Sequence, residues 1–144
     1  MKVMEKNIEQ EAANKQIVTN ALSESAHDFT LFFKNLFSED VEWTIAGHGP
    51  VAGTYYGMKE LFEKAESALF LRLAQPLTIK TLGVWSDGHQ VFARIESASV
   101  AIDGRSYQNA YMYIMTIESG KVTSGIEWLD LNAYYDIVNR IALD

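Results

Sequence analysis

Residues 90–130 read QVFARIESASVAIDGRSYQNAYMYIMTIESGKVTSGIEWLD. Apolar and polar residues alternate through three runs, at Gln90–Ala101, Tyr107–Ile117 and Lys121–Leu129. Such alternation is typical of β-strands that bury one face, because successive side chains of a strand point to opposite sides. Asp103-Gly104 and Ser119-Gly120 separate the runs and favour tight turns. The stretch therefore predicts three antiparallel strands joined by hairpins.

The sequence on either side of this meander predicts further strands and several helices. Apolar residues recur at helical spacing through the first 37 positions, whereas four glycines and a proline mark an irregular loop later on. The predicted elements are two helices ending near Phe37, a strand at Val41–Ile45, a loop at Ala46–Gly57, a helix at Met58–Arg72, a strand at Leu77–Val84 and a helix at Leu131–Ala142. Helices followed by a strand meander indicate the α+β class. We expect a curved antiparallel sheet that forms a cone around an internal pocket and is wrapped by the N-terminal helices.

The composition excludes several classes of partner and site. A chain of 144 residues with 48% hydrophobic residues is enough for one domain, spanning residues 1–144. Its net charge of −7 opposes a nucleic-acid partner, which requires clustered Lys and Arg. No run approaches the ~20 apolar residues of a membrane span, and the charged segment Met1–Gln10 does not resemble a signal peptide. We therefore expect a cytoplasmic location and no membrane partner. The absence of cysteine excludes disulfides and thiolate chemistry.

The turn sequences also predict how the strands align. A two-residue turn at Asp103-Gly104 sets Glu96 opposite Tyr111. Because serine resists a positive φ angle, we expect a three-residue loop at Glu118–Gly120, which sets Glu127 opposite Tyr111 as well. Two glutamates on one polar face, about 10 Å apart at the backbone, leave room for a small ligand or water between them. Such a pair can act as acid and base at one pH.

Other polar side chains fall on the same predicted face, namely Arg94, Asn109 and Tyr113. Arg94 is placed to orient the two carboxylates. Two alternatives stay open at this point. Arg94 and Glu96 could form a solvated ion pair with no chemical role. A register wrong by one residue would send the whole polar set outward, because it exchanges the two faces of a strand.

Five short motifs, spread in order over nearly the whole chain, resemble the nuclear transport factor 2-like superfamily. They are Asp40-Val41-Glu42-Trp43, Gly53-Thr54-Tyr55-Tyr56-Gly57, Asn109-Ala110-Tyr111, Glu118-Ser119-Gly120-Lys121-Val122 and Glu127-Trp128-Leu129-Asp130. The nearest branches are its SnoaL-like and ketosteroid-isomerase-like members. The resemblance implies a cystatin-like α+β barrel with a small-molecule pocket. It also implies the usual homodimer of these proteins.

The resemblance suggests two chemistries. SnoaL-like polyketide cyclases use an acidic residue on the last strand to move a proton during ring closure, and Glu127 corresponds to it. Limonene-epoxide hydrolases carry an Arg-x-Asp on a central strand and a further Asp on the last strand. Arg94-Ile95-Glu96 and Glu127 match these positions with Glu in place of Asp. Epoxide hydrolysis is therefore an alternative function.

Three further candidates have a structural and a functional interpretation. Trp43 either lines an apolar pocket or belongs to the core. His48, between two glycines at the expected pocket mouth, is either an acid, base or ligand contact or a plain loop residue. Asp130 is predicted to cap the last helix. The three histidines are too scattered for a metal site, and the glycine-rich loop lacks the pattern of a phosphate or dinucleotide site, so no metal and no cofactor is expected.

These observations predict a protein that binds a small, mostly apolar ring or carbonyl compound and catalyses proton transfer. Glu127 is the expected acid/base, Glu96 its partner and Arg94 the residue that orients them. The expected substrate-binding residues are Trp43, His48, Asn109, Tyr111 and Tyr113. The alternatives to cyclase or isomerase chemistry are epoxide hydrolysis, binding without catalysis and a protein-interaction role.

The opposite face of the predicted sheet is rich in apolar residues. On the predicted alignment it carries Val91, Ala93, Ile95, Met112, Ile114, Ile126 and Trp128. A patch of that size exceeds what most monomers leave in water. We therefore expect a two-fold homodimer through the outer sheet face, with Trp128 near its centre.

Overall fold

A computed structural model describes residues 2–144 of the protein, and its side chains from Asn7 onward. Met1 lies outside the described residues. It is the first residue of Met1–Gln10, the segment that does not resemble a signal peptide. The elements are α1 (Lys2–Glu24), α2 (Thr30–Leu36), β1 (Phe37–Ile45), β2 (Gly53–Tyr56), α3 (Met58–Leu61), a π-helical turn (Phe62–Glu66), α4 (Ser67–Phe70), β3 (Thr78–Asp87), β4 (Gln90–Val100), β5 (Ser106–Glu118), β6 (Lys121–Leu129) and α5 (Leu131–Arg140). In the described part of the chain no helix is both long and apolar enough to cross a bilayer.

The six strands form one curved, unclosed sheet in the order β2-β1-β6-β5-β4-β3, which confirms the predicted α+β class. Strands β3 to β6 are the predicted antiparallel meander. One pair differs from the expected pattern, because β1 runs parallel to β6. This pair is joined by most of the chain and not by a turn, so no local sequence signal announces it.

Two early elements depart from the sequence prediction. Strand β2 lies inside the segment predicted as a loop and pairs with β1, from Glu42 opposite Tyr56 to Ile45 opposite Gly53. Four residues at a sheet edge carry too little alternation to stand out among glycines. Phe37 begins β1 and does not end a helix. Its helical spacing from Phe33 is explained by a contact between their rings, whose centroids lie 4.8 Å apart.

The helices cover the concave face of the sheet and supply an aromatic core. Phe29, Phe32 and Phe33, all at most 2% exposed, come from α2 and the residue before it. The ring of Phe29 lies about 6 Å from the rings of Tyr111 and Tyr113 on β5. The inner face of β5 therefore meets helical phenyl rings, and its tyrosines are buried together with them.

The turn between β4 and β5 corrects the predicted register. The amide of Ala101 donates to the carbonyl of Arg105 at 2.8 Å, which leaves a three-residue loop closed by Gly104 at a φ of +88°. A two-residue type I′ turn needs positive φ at both central residues, and Asp103 does not adopt it. The alignment therefore shifts by one residue, and Ile95 lies opposite Tyr111. A shift of one exchanges the two faces of β4.

The turn between β5 and β6 also differs from the prediction, but it leaves the predicted inner face of β6 unchanged. Ser119 and Gly120 both adopt positive φ, at +50° and +78°, and form a two-residue turn that pairs Glu118 with Lys121. A β-bulge then occurs at Thr123, so that the pairing shifts by one more residue. The shift at the turn and the shift at the bulge add up to two residues, so the side chains of β6 keep the faces that the sequence predicted. Glu127 therefore points inward, opposite Tyr113.

The corrected register changes the composition of the outer sheet face. Val91, Ala93 and Ile95 were predicted to point outward and are fully buried on the inner face instead. The outer face keeps an apolar group made of Phe92, Met112, Ile114, Ile126 and Trp128. The side chain of Trp128 is 44% exposed. The homodimer through this face stays a prediction.

Candidate active site

A small cavity lies between the inner face of the sheet and the helices. Two carboxyl groups, Glu66 and Glu127, line it together with three tyrosines. The rest of the lining is apolar and consists of Phe29, Ile45, Val51, Ala65, Leu69, Phe70, Leu77 and Leu129. Its volume of about 20 Å³ is enough for one water molecule. Two acids in so small and apolar a space are strongly desolvated.

Glu127 is held in place from both neighbouring strands. It is 3% exposed and lies opposite Ile45 of β1 and Tyr113 of β5. The indole Nε1–H of Trp43 donates to its Oε1 at 2.9 Å. The hydroxyl of Tyr113 donates to the same carboxyl group. Both hydrogen bonds favour the ionised form of Glu127.

Trp43 reaches Glu127 because the neighbouring strand β6, which carries Glu127, has a glycine opposite Trp43. Trp43 lies opposite Gly125 on the parallel strand pair, and a Cβ atom on Gly125 would come within 3.0 Å of the indole ring. The indole therefore occupies the place of the missing side chain. Trp43 is fully buried and packs edge-on against Tyr113, with centroids 5.2 Å apart.

Glu66 reaches the cavity from the helical segment, at the end of the π-helical turn. The amide of Ser67 donates to the carbonyl of Phe62, five residues earlier, which defines this turn. The hydroxyl of Tyr134 donates to the neighbouring carbonyl of Ala65 at 2.8 Å and ties the turn to α5. A π-helical turn contains one residue more than an α-helical turn and frequently marks a functional site. Here it presents a carboxylic acid to an apolar cavity.

The two carboxyl groups have different electrostatic surroundings. Burial raises the pKa of Glu127 to about 7, although the hydrogen bonds from Trp43 and Tyr113 lower it. Burial and the nearby charge of Glu127 raise the pKa of Glu66 well above its usual range. Among the described residues no hydrogen-bond donor offsets this rise at Glu66. Near neutral pH Glu66 therefore holds a proton while Glu127 is the group that ionises.

The tyrosines of the cavity are neutral hydrogen-bonding groups. Burial raises the pKa of Tyr111 and of Tyr113 well above the usual value, and the charge of Glu127 adds to the rise. The hydroxyl of Tyr111 lies 2.9 Å from the Oγ of Ser97. These phenols can donate a hydrogen bond to a ligand, and they do not supply a negative charge.

The structure brings together only part of the site predicted from the sequence. Glu127, Tyr111 and Tyr113 line the cavity, and Trp43 contacts Glu127 without lining it. The remaining predicted residues lie elsewhere, namely Arg94 and Glu96 on the outer face of β4, His48 in the exposed loop after β1 and Asn109 beside the first turn of α5. The prediction that Arg94 and Glu96 share a face with Glu127 is wrong, because the register is shifted by one residue.

Two of these residues have structural contacts instead. Asn109 accepts the amide of Asp130 at 2.9 Å and donates to the hydroxyl of Tyr107 at 2.8 Å. Asp130 accepts the amides of Asn132 and Ala133, which confirms its predicted role as the cap of α5. Asn109 thus fixes the junction of β6 and α5. The main-chain carbonyl of His48 accepts from Tyr135 at 2.8 Å, and its imidazole is exposed.

The sequence interpretation missed Glu66, although the pattern around it contains a signal. Leu61, Ala65 and Leu69 form one row at a spacing of four, and all three are buried. Glu66 is the middle residue of the neighbouring row, between Phe62 and Phe70. A carboxylate within an apolar row of a helix is the signal of a buried acid.

The raised pKa of Glu127 predicts an unusual dependence of stability on pH. The folded state binds this proton more tightly than the unfolded state, where the pKa is 4.5. Stability from this group is therefore fully present below pH 4.5 and is lost as the pH rises to about 7. We expect a loss of about 3 kcal/mol in the free energy of unfolding. Glu66 acts in the same direction and extends the decline to higher pH.

Denaturant unfolding at half-unit steps from pH 5 to pH 8 measures this decline. Glu127→Gln should flatten a large part of it and raise the stability at pH 8. Glu118→Gln, which changes an exposed carboxylate at the end of β5, is the matched control and should keep the full decline. A wild-type stability that rises across this window would contradict the assignment of Glu127 and Glu66 as desolvated, proton-binding glutamates.

Comparisons with known proteins agree with this architecture. A family model described as the SnoaL-like domain matches residues 20–125. A search of curated proteins finds no significant match.

Several solved structures share the fold. An NTF2-like protein from Burkholderia thailandensis E264 is 19% identical and has a TM-score of 0.65, over 86% of this chain and 95% of that chain. A putative SnoaL-like polyketide cyclase from Jannaschia sp. CCS1 is 15% identical and has a TM-score of 0.67, over 92% and 95% of the two chains. AclR, a putative hydroxylase from Streptomyces galilaeus, is 11% identical and has a TM-score of 0.67, over 92% and 89%. With the family model covering most of its length, this chain belongs to the family of SnoaL-like domains.

Proposed function

We propose that the protein catalyses acid–base proton transfer on a small, uncharged carbonyl compound whose carbonyl end enters the cavity between the sheet and the helices. The observation that carries the proposal is the pair of dissimilar carboxyl groups in one cavity, of which Glu127 is buried and Glu66 half-buried. Glu127 accepts hydrogen bonds from Trp43 and Tyr113, whereas Glu66 lies in the same cavity without such support. One group is therefore suited to accept a proton and the other to donate one.

The proposed step is an enolisation. The carboxylate of Glu127 takes a proton from the carbon next to the carbonyl group, so that a C–H bond breaks and a carboxyl O–H bond forms. Glu66 gives its proton to the carbonyl oxygen, which becomes the hydroxyl of an enol. The enol hydroxyl then returns its proton to Glu66 as the carbonyl group re-forms. In an isomerisation Glu127 gives its proton to a carbon of the enol system other than the one it deprotonated. In a ring closure the enol carbon attacks a second carbonyl carbon of the same molecule, and Glu127 gives its proton to the oxygen of that second carbonyl. The hydroxyls of Tyr111 and Tyr113 can orient the carbonyl oxygen.

The family assignment supports the cyclase or isomerase class. The structural neighbours include a putative SnoaL-like polyketide cyclase and a putative isomerase from Rhodopseudomonas palustris. Epoxide hydrolysis loses the pattern on which it rested, because Arg94 and Glu96 point away from the cavity. Binding without catalysis, which requires the cavity alone, and a protein-interaction role remain as alternatives.

Deuterium exchange tests the reaction before the natural substrate is known. A panel of neutral cyclic ketones and diketones is incubated with the protein in D₂O, and incorporation next to the carbonyl is followed by mass spectrometry. Glu66→Gln removes the acid and should lower the exchange rate by about 10²-fold. Glu63→Gln changes an exposed carboxylate on the same helical segment and should match the wild type. Ketones that bind without exchanging would favour the binding module.

A further inference from the structure

The cavity and a groove on the protein surface share two side chains, Phe70 and Leu77. The groove has a volume of about 320 Å³ and is lined by Asp28, Thr30 and the connection from α4 to β3. The cavity holds about 20 Å³ on the other side of the same two side chains. Phe70 and Leu77 therefore form the wall between the cavity and the groove.

Leu77 is the fixed part of this wall. It is 1% exposed, and its carbonyl accepts the amide of Phe29 at 2.9 Å. The preceding backbone is bound to β4, since Ala74 donates to the carbonyl of Val100 at 2.8 Å and the carbonyl of Gln75 accepts from Ser99 at 2.9 Å. Moving Leu77 out of the wall requires breaking these contacts.

Phe70 is the movable part. It is the last residue of α4, it is half-buried, and it faces the groove as well as the cavity. Its ring packs against that of Phe62 with centroids 6.2 Å apart, and in the sequence Glu66 lies midway between these two residues, at a spacing of four from each. Rotation of an aromatic side chain at a partly exposed position needs no backbone change. It would connect Glu66 to the groove.

The loop between β1 and β2 is the competing route into the cavity, because Val51 lines it. The hydroxyl of Tyr135 donates to the carbonyl of His48 at 2.8 Å and accepts the amide of Val51 at 3.1 Å. The hydroxyl of Tyr55 donates to the carbonyl of Val51 at 2.6 Å. Opening this loop breaks these three hydrogen bonds. Rotation of Phe70 breaks none of them.

We propose that Phe70 is the gate of the site and that the groove outside it holds the part of the ligand that does not fit into the cavity. The charges select the ligand class. Asp28 carries the one charge among the described residues that line the groove, and the cavity behind it contains the ionisable Glu127. An anionic substituent is repelled on both sides of the gate. The ligand is therefore an uncharged ring compound, with a neutral substituent toward the groove.

This inference deepens the proposed function by naming its route of access and its ligand class, and it is tested by binding alone. The probe is 1-naphthol, a neutral bicyclic phenol, and stopped-flow fluorescence gives its association rate. Phe70→Ala should raise the rate by about tenfold or more, because it removes the cost of opening, and Phe70→Trp should lower it. Leu71→Ala is the matched control, since Leu71 is 64% exposed and lies outside both linings. The carboxylate 1-naphthoate should bind at least about tenfold more weakly than 1-naphthol.

The outcomes separate the possibilities. Equal association rates in the wild type, Phe70→Ala and Phe70→Trp would overturn the gate. A rate that increases in Tyr135→Phe instead would assign access to the β1–β2 loop. If Phe70→Ala does not fold, Phe70→Trp and Tyr135→Phe still decide between the two routes. Failure of 1-naphthol to bind any variant, or tighter binding of 1-naphthoate, would overturn the ligand class. A working gate in a protein without deuterium exchange would contradict the proposed reaction and leave this inference intact.

Discussion

Glu127→Gln is expected to lower the rate of proton transfer by about 10²- to 10⁴-fold, the usual contribution of a positioned acid or base. Glutamine has the same shape and can still accept the hydrogen bond from Trp43, so the fold should be kept. What it lacks is the ability to take a proton. The measurement is deuterium exchange on the best ketone of the panel, with the far- and near-ultraviolet circular dichroism recorded for both proteins.

The matched control for this prediction is Glu96→Gln. Glu96 is the partner that the sequence suggested, and the structure places it exposed on the outer face of β4. Its replacement should leave the exchange rate unchanged. A loss of exchange in Glu96→Gln together with full exchange in Glu127→Gln would show that the chemistry takes place on the outer face, and it would overturn the proposed site.

Gly125→Ala is expected to be the most destabilising small substitution in the sheet. The added Cβ would lie less than 3.0 Å from both the carbonyl oxygen of Ile114 and the ring of Trp43. The carbonyl belongs to the backbone of β5 and cannot rotate away. Either β5 and β6 separate locally or the indole leaves its place. We expect a loss of about 3 kcal/mol or more in the free energy of unfolding, at the upper end of overpacking effects.

Ser124→Ala, one residue earlier on the same strand, is the control for Gly125→Ala. Ser124 points to the outer face, where its replacement should change stability by less than about 0.5 kcal/mol. Urea unfolding monitored by tryptophan fluorescence gives both values. An alanine at position 125 that is tolerated as well as one at position 124 would contradict the close packing of Trp43 over β6. It would also weaken the argument that Trp43 holds Glu127.

The meander was predictable because its signals are local. Alternation over nine or more residues and the glycines at the turns place β4, β5 and β6 within a few residues of their observed bounds. Asp130 was likewise predictable as a helix cap, since its partners are the amides two and three residues later. None of these features depends on contacts between distant parts of the chain.

The face of β4 was not predictable from the turn sequence alone, because it depends on a single backbone angle there. Asp-Gly fits a two-residue turn as well as a three-residue loop, and the choice decides whether Ile95 or Glu96 points inward. The structure adopts the loop that buries Ile95 and leaves Glu96 in solvent. Burial of an apolar row is favoured over burial of charges without partners. Applied to the whole strand, that comparison would have selected the observed register.

Glu66 could not be assigned to the site from the strands, since it comes from a helical segment that meets the sheet only after folding. The sequence shows its apolar neighbours, and it does not show that the cavity lies on that side of the helix. The contacts that fix this are long-range, such as the hydrogen bond from Tyr134 to Ala65. A catalytic pair drawn from a helix and a strand thus has one member that strand patterns cannot reveal.

The π-helical turn at Phe62–Glu66 makes the orientation of Glu66 depend on the number of residues in the segment as well as on their types. Each residue of an α-helix turns the following side chain by about 100°. A related chain with the same amino acids but one position fewer in this turn would form a regular helix and carry its glutamate on another side. A sequence alignment with its gap placed elsewhere in the helix would still align the two glutamates. Their side chains would nevertheless point in different directions in the two structures. Relatives of this protein are therefore best compared first by the length of this segment and then by the residue at its end, the position of Glu66.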